Sequence, residues 1–290
     1  MTNVEQMNPV FKLGQPGDSK DFIIFILEQL HQELKKPSRN YKPSCTNIQL
    51  NQYDSVNTFN HFMDEFTKEL SIISDLFFGI QQTRSECINC KNVFSSQGKP
   101  NPICYNYQIF NLIIFPLDKV RDMVRNMKMN NNQNNININN DIVTIYDCFL
   151  YNQKPDLFTG ENRNYCNICN GLNDSYYTSL VYSFPTILIL ILNRGKDNVH
   201  KIKVDFQEVI DLTNFANANR VQEKLLYNLI GVITHIGESG PNAHFVASCK
   251  SSVNNNWYRF NDAFVYLIND VNKEIINFQN PYILFYQRKK

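Results

Sequence analysis

The chain has 290 residues, 43% of them hydrophobic, which is enough for a sizeable core in one large domain or two small ones. Its 28 basic and 27 acidic residues leave a formal net charge of +1, a balance that argues against nucleic acid or an anionic membrane surface as partners. The longest apolar run, Ile187 to Leu192, is far too short to span a membrane.

The opening residues, MTNVEQMNPVFKLG, lack the basic and apolar regions of a secretory leader. Eight cysteines then point to thiols or metal ligands in a reducing, intracellular compartment, cytoplasmic or nuclear, rather than to disulfides. Residues 18–36 predict a helix. Asp18 is placed to cap it, Asp21 to complete a capping-box-like pattern, and Phe22, Phe25, Ile26, Leu30 and Leu34 form an apolar stripe closed by Pro37. Residues 37–54 read as irregular, and a second helix is expected over about 58–70, with Phe59, Phe62, Met63 and Phe66 inward. A strand-like stretch leads to Cys87, and Tyr105 to Leu117 reads as strand. Residues 126–140 hold nine Asn in fifteen and read as a solvent-exposed, low-complexity loop.

A short helix is expected over 143–150. Strands follow at 176–181, 186–192, 201–205, 227–235, 244–249, 257–260 and 282–287. The second of these is continuously apolar, as a central strand buried on both faces would be. Helices first and sheet later indicate an α+β fold.

Cys87-x-x-Cys90 and Cys166-x-x-Cys169 are two knuckles of matched spacing, with 75 residues between Cys90 and Cys166. Each knuckle can bring two thiolates to one ion, and two knuckles close a tetrahedral site for a structural Zn2+ with no open position. Such an ion removes the freedom of a long loop from the unfolded chain. A second constellation lies further on. A loop over 240–243 delivers His244 to the start of one strand, and the next strand ends in Asn261-Asp262. Adjacent antiparallel strands can set an imidazole against an amide that orients it for base work.

Taken in order, these residues resemble the ubiquitin-specific protease family, a papain-like cysteine peptidase fold. The resemblance rests on Asp18-Ser-Lys-Asp21-Phe22, Leu76-Phe-Phe-Gly79, the two knuckles, and the strand from Phe184 to Arg194. It continues through the strand Tyr227 to Gly237, Ala243-His244-Phe245, Trp257-Tyr-Arg-Phe-Asn261-Asp262 and Tyr282 to Tyr286. It implies a single domain over 1–290: a partial helical thumb over about 1–72, zinc-ribbon fingers over about 73–182 with an Asn-rich insertion at about 120–141, and an antiparallel β palm over about 183–290. It implies His244 as general base, Asn261 as the residue that orients it, Asp262 as a supporting neighbour, and Asp18 and Asp21 facing the basic C-terminal tail of ubiquitin. His235 matches a structural position ahead of the loop.

The family's nucleophile is a cysteine in a Gly-x-x-Asn-x-Gly-x-Thr-Cys stretch, several tens of residues upstream of the helix that begins here at Asp18. Only seventeen residues precede Asp18, and none is cysteine. Cys45, near Lys42, sits in a polar loop, Cys249 falls on the opposite strand face from His244, and Cys104 and Cys148 have core-like surroundings. Pro16-Gly17, Ala243 and Phe245 also depart from the family pattern. The expectation is a catalytically inactive relative that binds ubiquitin, or a protein partner covering the incomplete thumb within a larger assembly. The alternatives are an active cysteine-type deubiquitinase whose Cys box lies outside this chain, and a zinc-ribbon scaffold that has lost ubiquitin affinity.

Overall fold

A computed structural model describes residues 2–12, 17–35, 50–130, 142–194, 202–217, 223–236, 244–278 and 280–289. The expectations placed on Pro16, Lys42, Cys45, the Asn-rich stretch beyond 130 and the 240–243 loop lie outside these residues.

Four helices open the chain: α1 (Thr2–Met7), α2 (Ser19–Glu33), α3 (Ser55–Phe66) and α4 (Ile72–Phe77). Asp18 caps α2 by accepting from the Lys20 backbone, as expected. Asp21 does not close a capping box; it pairs with Lys20 at 3.2 Å. Helix α3 starts three residues earlier than its apolar stripe suggests, because the Asp54 carboxylate accepts from both Val56 and Asn57. The sequence reading has no helix at 72–77. Ser71 and Ser74 build one through a reciprocal capping box, and Ser71 Oγ also meets buried His31 Nδ1 at 2.7 Å.

Next come β1 (Gly79–Cys87), α5 (Ile88–Ser96), β2 (Ile103–Phe110), β3 (Ile113–Pro116), α6 (Leu117–Asn130), β4 (Ile142–Thr144), α7 (Ile145–Asn152) and β5 (Asp156–Phe158). The hairpin β6 (Asn164–Cys166) and β7 (Gly171–Asn173) precedes β8 (Ser175–Ser183). Strands β2, β1, β8 and β5 form an antiparallel sheet in that order. Helix α3 docks on it where Phe59 packs against Tyr107 and Tyr182, at 5.2 and 4.7 Å between ring centroids. At its base Gly79 is required by close approach, since a Cβ there would collide with the Phe110 ring and the Ser183 carbonyl.

The remaining elements are β9 (Ile187–Asn193), β10 (Lys203–Asp205), β11 (Val209–Asp211), β12 (Leu226–Ile236), β13 (His244–Lys250), β14 (Trp257–Asn261), β15 (Phe264–Ile268), α8 (Val271–Glu274) and β16 (Pro281–Arg288). They build an eight-stranded sheet in the order β15-β14-β13-β12-β16-β9-β3, with β11 beside β12. Only β3 pairs parallel within it; β4 and β10 form a separate parallel pair. One face carries the larger core, with Leu188, Leu190, Leu192 and Tyr286 under α6 and α7; the other packs Ile189, Ile191 and Ile283 against Leu27 of α2 and Ile73 of α4. Buried Arg194 ties the end of β9 to its surroundings by donating to the carbonyls of Ile202 at 2.6 Å and Pro281 at 2.9 Å. Burial lowers its pKa to about 10, so it stays cationic at neutral pH.

The stretch expected as one strand over 105–117 is broken between β2 and β3, and Leu117 is the first residue of α6. Residues 126–130, expected in the Asn-rich loop, are the last turns of α6, which buries Leu117, Val120 and Met123. Packing of those three residues outweighs the weak helix preference of Asn. Strand β15 was not anticipated: Phe264, Val265, Tyr266 and Leu267 are all exposed on a sheet edge, without the alternation that marks a strand in sequence.

Leu190 is fully buried in the larger core. Leu190→Ala is expected to destabilise the chain by about 2–5 kcal/mol in denaturant unfolding, through lost transfer free energy and the cavity left behind.

Candidate functional site

Strand pairing brings the two expected residues together. His244 is the first residue of β13 and Asn261 the last of β14, and the two strands are hydrogen-bonded in antiparallel register from Ala247–Phe260 to Lys250–Trp257. His244 Nε2 lies 2.6 Å from Asn261 Oδ1. An amide oxygen only accepts, so Nε2 carries the proton and donates. Nδ1 is then left with its lone pair, the atom that can take a proton from a thiol. Asp262 Oδ2 is 3.8 Å from Nε2, on a residue with φ of 51° whose side chain is 79% exposed. At that exposure its carboxylate is a weak, solvent-screened companion to an imidazolium.

Beside the pair lies a cavity of ≈ 230 Å³, walled by Thr234, Val246, Ser248, Arg259, Asn261 and Phe278 among others. Arg259 closes one side by donating to the Glu274 carbonyl at 2.7 Å, which clamps α8 across β14. Sequence reasoning missed this clamp because nothing in the spacing of Arg259 and Glu274 announces it.

Asp18 and Asp21 stand at the start of α2, where the resemblance places them. Asp18 has a partner that the sequence did not suggest: the Tyr282 hydroxyl donates to both of its oxygens, at 2.9 Å each. Burial, then the hydrogen bond to Asp18, pushes the Tyr282 hydroxyl well above its ordinary range. The Tyr282 ring packs on Phe245 at 5.4 Å, and Phe245 in turn packs on His235 at 5.0 Å. The cap of α2 is thereby joined to the residue next to His244.

The four knuckle cysteines converge, with their sulfur atoms all within 4.8 Å of one another. Cys87 Sγ lies 3.8 Å from Cys169 Sγ, and Cys90 Sγ lies 3.7 Å from Cys166 Sγ. Tetrahedral thiolates about 2.3 Å from a zinc ion stand about 3.8 Å apart; these two spacings match that figure, and Cys90 Sγ and Cys169 Sγ stand closer, at 3.0 Å, so an ion at the centre requires those two sulfurs to part slightly. The separations far exceed a sulfur–sulfur bond, and all four thiols are free. Burial, ahead of neighbouring thiols, pushes the Cys90 thiol strongly up. For Cys166 burial acts in the same direction, but hydrogen bonds from the Cys169 and Ile168 backbone and from the Cys90 and Cys87 thiols outweigh it, and its thiol lies below the ordinary range. A buried group of this composition is stable as thiolates only around a cation.

The other described cysteines stand apart from His244. Cys104 is on β2 and Cys148 is in α7, in different parts of the fold. Burial pushes the Cys148 thiol up to about 12, so it is protonated at neutral pH. Cys249 is on β13 itself but five residues on, so strand alternation turns it to the face opposite His244. Among the described residues, no helix is long and apolar enough to cross a membrane.

The sequence profile described as Ubiquitin carboxyl-terminal hydrolase matches residues 1–286. The chain is 25% identical over 295 residues to ubiquitin carboxyl-terminal hydrolase 2 of Rattus norvegicus, covering 99% of this chain and 42% of that protein. It is 23% identical over 306 residues to probable ubiquitin carboxyl-terminal hydrolase 4 of Schizosaccharomyces pombe, covering 98% of this chain and 45% of that protein. It thus spans less than half the length of these relatives. Among solved structures it superposes on a chain of the SAGA DUB module Ubp8/Sgf11/Sus1/Sgf73 bound to monoubiquitin with a TM-score of 0.64 and 18% identity, covering 100% of this chain and 52% of that one. The same module bound to ubiquitin aldehyde gives a TM-score of 0.62 and 17% identity, over 100% and 53% of the two chains.

The chain is expected to take up one equivalent of cobalt(II) with the intense near-ultraviolet charge-transfer absorption of thiolate ligation. Cys90→Ser is expected to weaken that band and the uptake, since it removes one of the four sulfurs. Identical spectra for the two proteins would count against the four-sulfur centre.

Proposed function

The chain belongs to the ubiquitin carboxyl-terminal hydrolase family and has its α+β ubiquitin-specific protease fold, and we propose that it contributes the base side of a deubiquitinase cleft and binds ubiquitin without cleaving it unaided. The observation that carries this reading is the His244–Asn261 hydrogen bond of 2.6 Å, which leaves Nδ1 free as a base. In the proposed cleft His244 is the general base, Asn261 fixes its tautomer and ring plane, and Asp262 supports the charge that would form. A base and its orienter do not by themselves make a covalent intermediate; that step needs a thiolate. None of the seven described free cysteines is a hydrogen-bond partner of His244. The reaction such a cleft serves is hydrolysis of the bond after the last glycine of ubiquitin: a thiolate attacks the carbonyl, and the imidazolium then protonates the leaving amine.

In this reading residues 1–72 are part of a helical thumb, 73–182 are fingers and 183–290 a palm. One zinc ion held by Cys87, Cys90, Cys166 and Cys169 keeps the fingers folded and takes no part in chemistry, since four sulfurs leave no open coordination position. Exposed Asp21, with Asp18 behind it, meets the basic tail of ubiquitin. A protein partner covers the helical thumb, where Phe22, Leu30 and Leu34 of the α2 region are exposed. The solved neighbours are assemblies containing Sgf11, Sus1 and Sgf73, which makes a multiprotein setting reasonable for this chain as well. The thiol-rich composition suits a cytoplasmic or nuclear compartment.

The intact His244–Asn261 geometry also favours a second reading: an active cysteine-type deubiquitinase whose thiolate comes from outside these 290 residues. A ubiquitin–fluorophore substrate separates the two when it is given both to the 290-residue chain and to the protein isolated from its native source: the second reading expects release from the native protein alone, with a further segment or partner that supplies the thiolate visible by mass spectrometry. The 290-residue chain is expected to release no fluorophore above the buffer rate while still shifting ubiquitin resonances in an NMR titration. Release that is abolished by His244→Ala and by thiol alkylation would overturn the binding-only reading. Asp21→Lys is expected to weaken ubiquitin binding about two- to fivefold, the scale of an exposed ion pair.

A further inference from the structure

His31 lies in the last turn of α2 and is buried, with its ring 4.9 Å from that of Phe78. Its Nδ1 meets the Ser71 hydroxyl at 2.7 Å. Ser71 is the N-cap of α4, and its Oγ already accepts from the backbone N–H groups of Ile73 at 3.1 Å and Ser74 at 3.2 Å. A hydroxyl has two lone pairs and one proton. Both lone pairs face helix N–H groups, so the proton goes to His31 Nδ1, the acceptor left to it among the described residues. His31 is therefore neutral here, with its own proton on Nε2.

Protonation would undo this arrangement. An imidazolium carries N–H on both nitrogens and accepts nothing. Its Nδ1–H would face the Ser71 O–H, and the oxygen would have to take a third donor or release a helix N–H. The charged groups that face the ring are Lys35 on α2 and Glu69 on the 67–69 turn, and these two pair with each other at 2.7 Å. Asp75, the one charged residue of α4, is exposed. Burial and then Lys35 lower the His31 pKa, against a smaller opposing pull from Glu69.

We propose that the His31–Ser71 hydrogen bond is an acid-sensitive joint: it docks α4 on α2 while His31 is neutral, and α4 loosens locally when Nδ1 takes a proton. Opening the joint returns His31 toward its ordinary pKa of about 6.5, above that of the docked ring. The open form therefore binds more protons. Docking is at full strength above about pH 6.5 and is lost as pH falls through the lower, docked value. Ile73 of α4 packs with Leu27 of α2 in the smaller core, and α4 leads into β1. Loosening the joint thus acts where the opening helices meet both sheets.

The test follows amide hydrogen exchange of residues 72–78 in the full chain at about pH 7.5 and about pH 5, corrected for the intrinsic pH dependence of exchange, together with 15N NMR of the His31 ring. Opening of this segment is expected to rise about three- to tenfold at the lower pH, and Nδ1 to be unprotonated at the higher. His31→Asn keeps a neutral acceptor but cannot titrate, and is expected to flatten the pH dependence. Ser71→Asp also caps a helix and offers an imidazolium a carboxylate, and is expected to reverse its sign. A protonated Nδ1 at neutral pH, exchange that does not change with pH, or the same pH dependence in His31→Asn would each overturn the joint. If a variant fails to fold, the ring tautomer and the exchange profile of the unaltered chain decide by themselves.

Discussion

Strands β9 and β16 each serve two cores at once. Along β9 the side chains alternate, with Leu188, Leu190 and Leu192 entering the larger core and Ile189 and Ile191 the smaller one. Across the ladder Leu284 and Tyr286 join the first group and Ile283 the second. A slip of one residue in this pairing would exchange the two sets, so burial on both faces fixes the register. The neighbouring parts take their positions from this ladder. Helices α6 and α7 cover one side and α2 and α4 the other, while β12, β13 and β14 extend the sheet outward to His244 and Asn261.

The His–Asn pair differs in kind from a His–carboxylate pair. A neutral amide sets the tautomer through one hydrogen bond and lends no full charge, so it orients the ring more than it raises its basicity. The carboxylate of Asp262 is close but largely in water. What holds the neighbourhood in place is its surroundings: the Arg259 clamp on α8, and the path from the α2 cap through Tyr282 to Phe245. Both join separate elements, and both place a polar side chain where a sheet built only of apolar contacts would leave the site free to shift.

Sequence reading succeeded where chemistry is carried by spacing. The knuckles predicted a four-sulfur cluster, the unbroken run from Ile187 predicted a strand buried on both faces, and two adjacent strands predicted the meeting of His244 with Asn261. It failed where structure depends on partners distant in the chain. The Ser71 cap of α4 is held by His31, forty residues earlier; α6 buries Val120 and Met123; Tyr282 finds Asp18 from the opposite end of the chain. Strand β15 was missed because its exposed apolar residues follow neither period. The Cys45 expectation concerns a residue outside those described.

The Asn-rich stretch sits between two anchored points. On one side α6 buries its apolar face in the larger core; on the other β4 pairs with β10 and leads straight into α7, whose Thr144–Asp147 capping box is complete. Both anchors hold independently of the number of residues that join them. Doubling the number of residues between two fixed ends costs only about 0.6 kcal/mol of closure entropy, less than the loss of one buried methylene group. In-frame expansion or contraction of an asparagine-codon tract at this point is therefore close to invisible to folding.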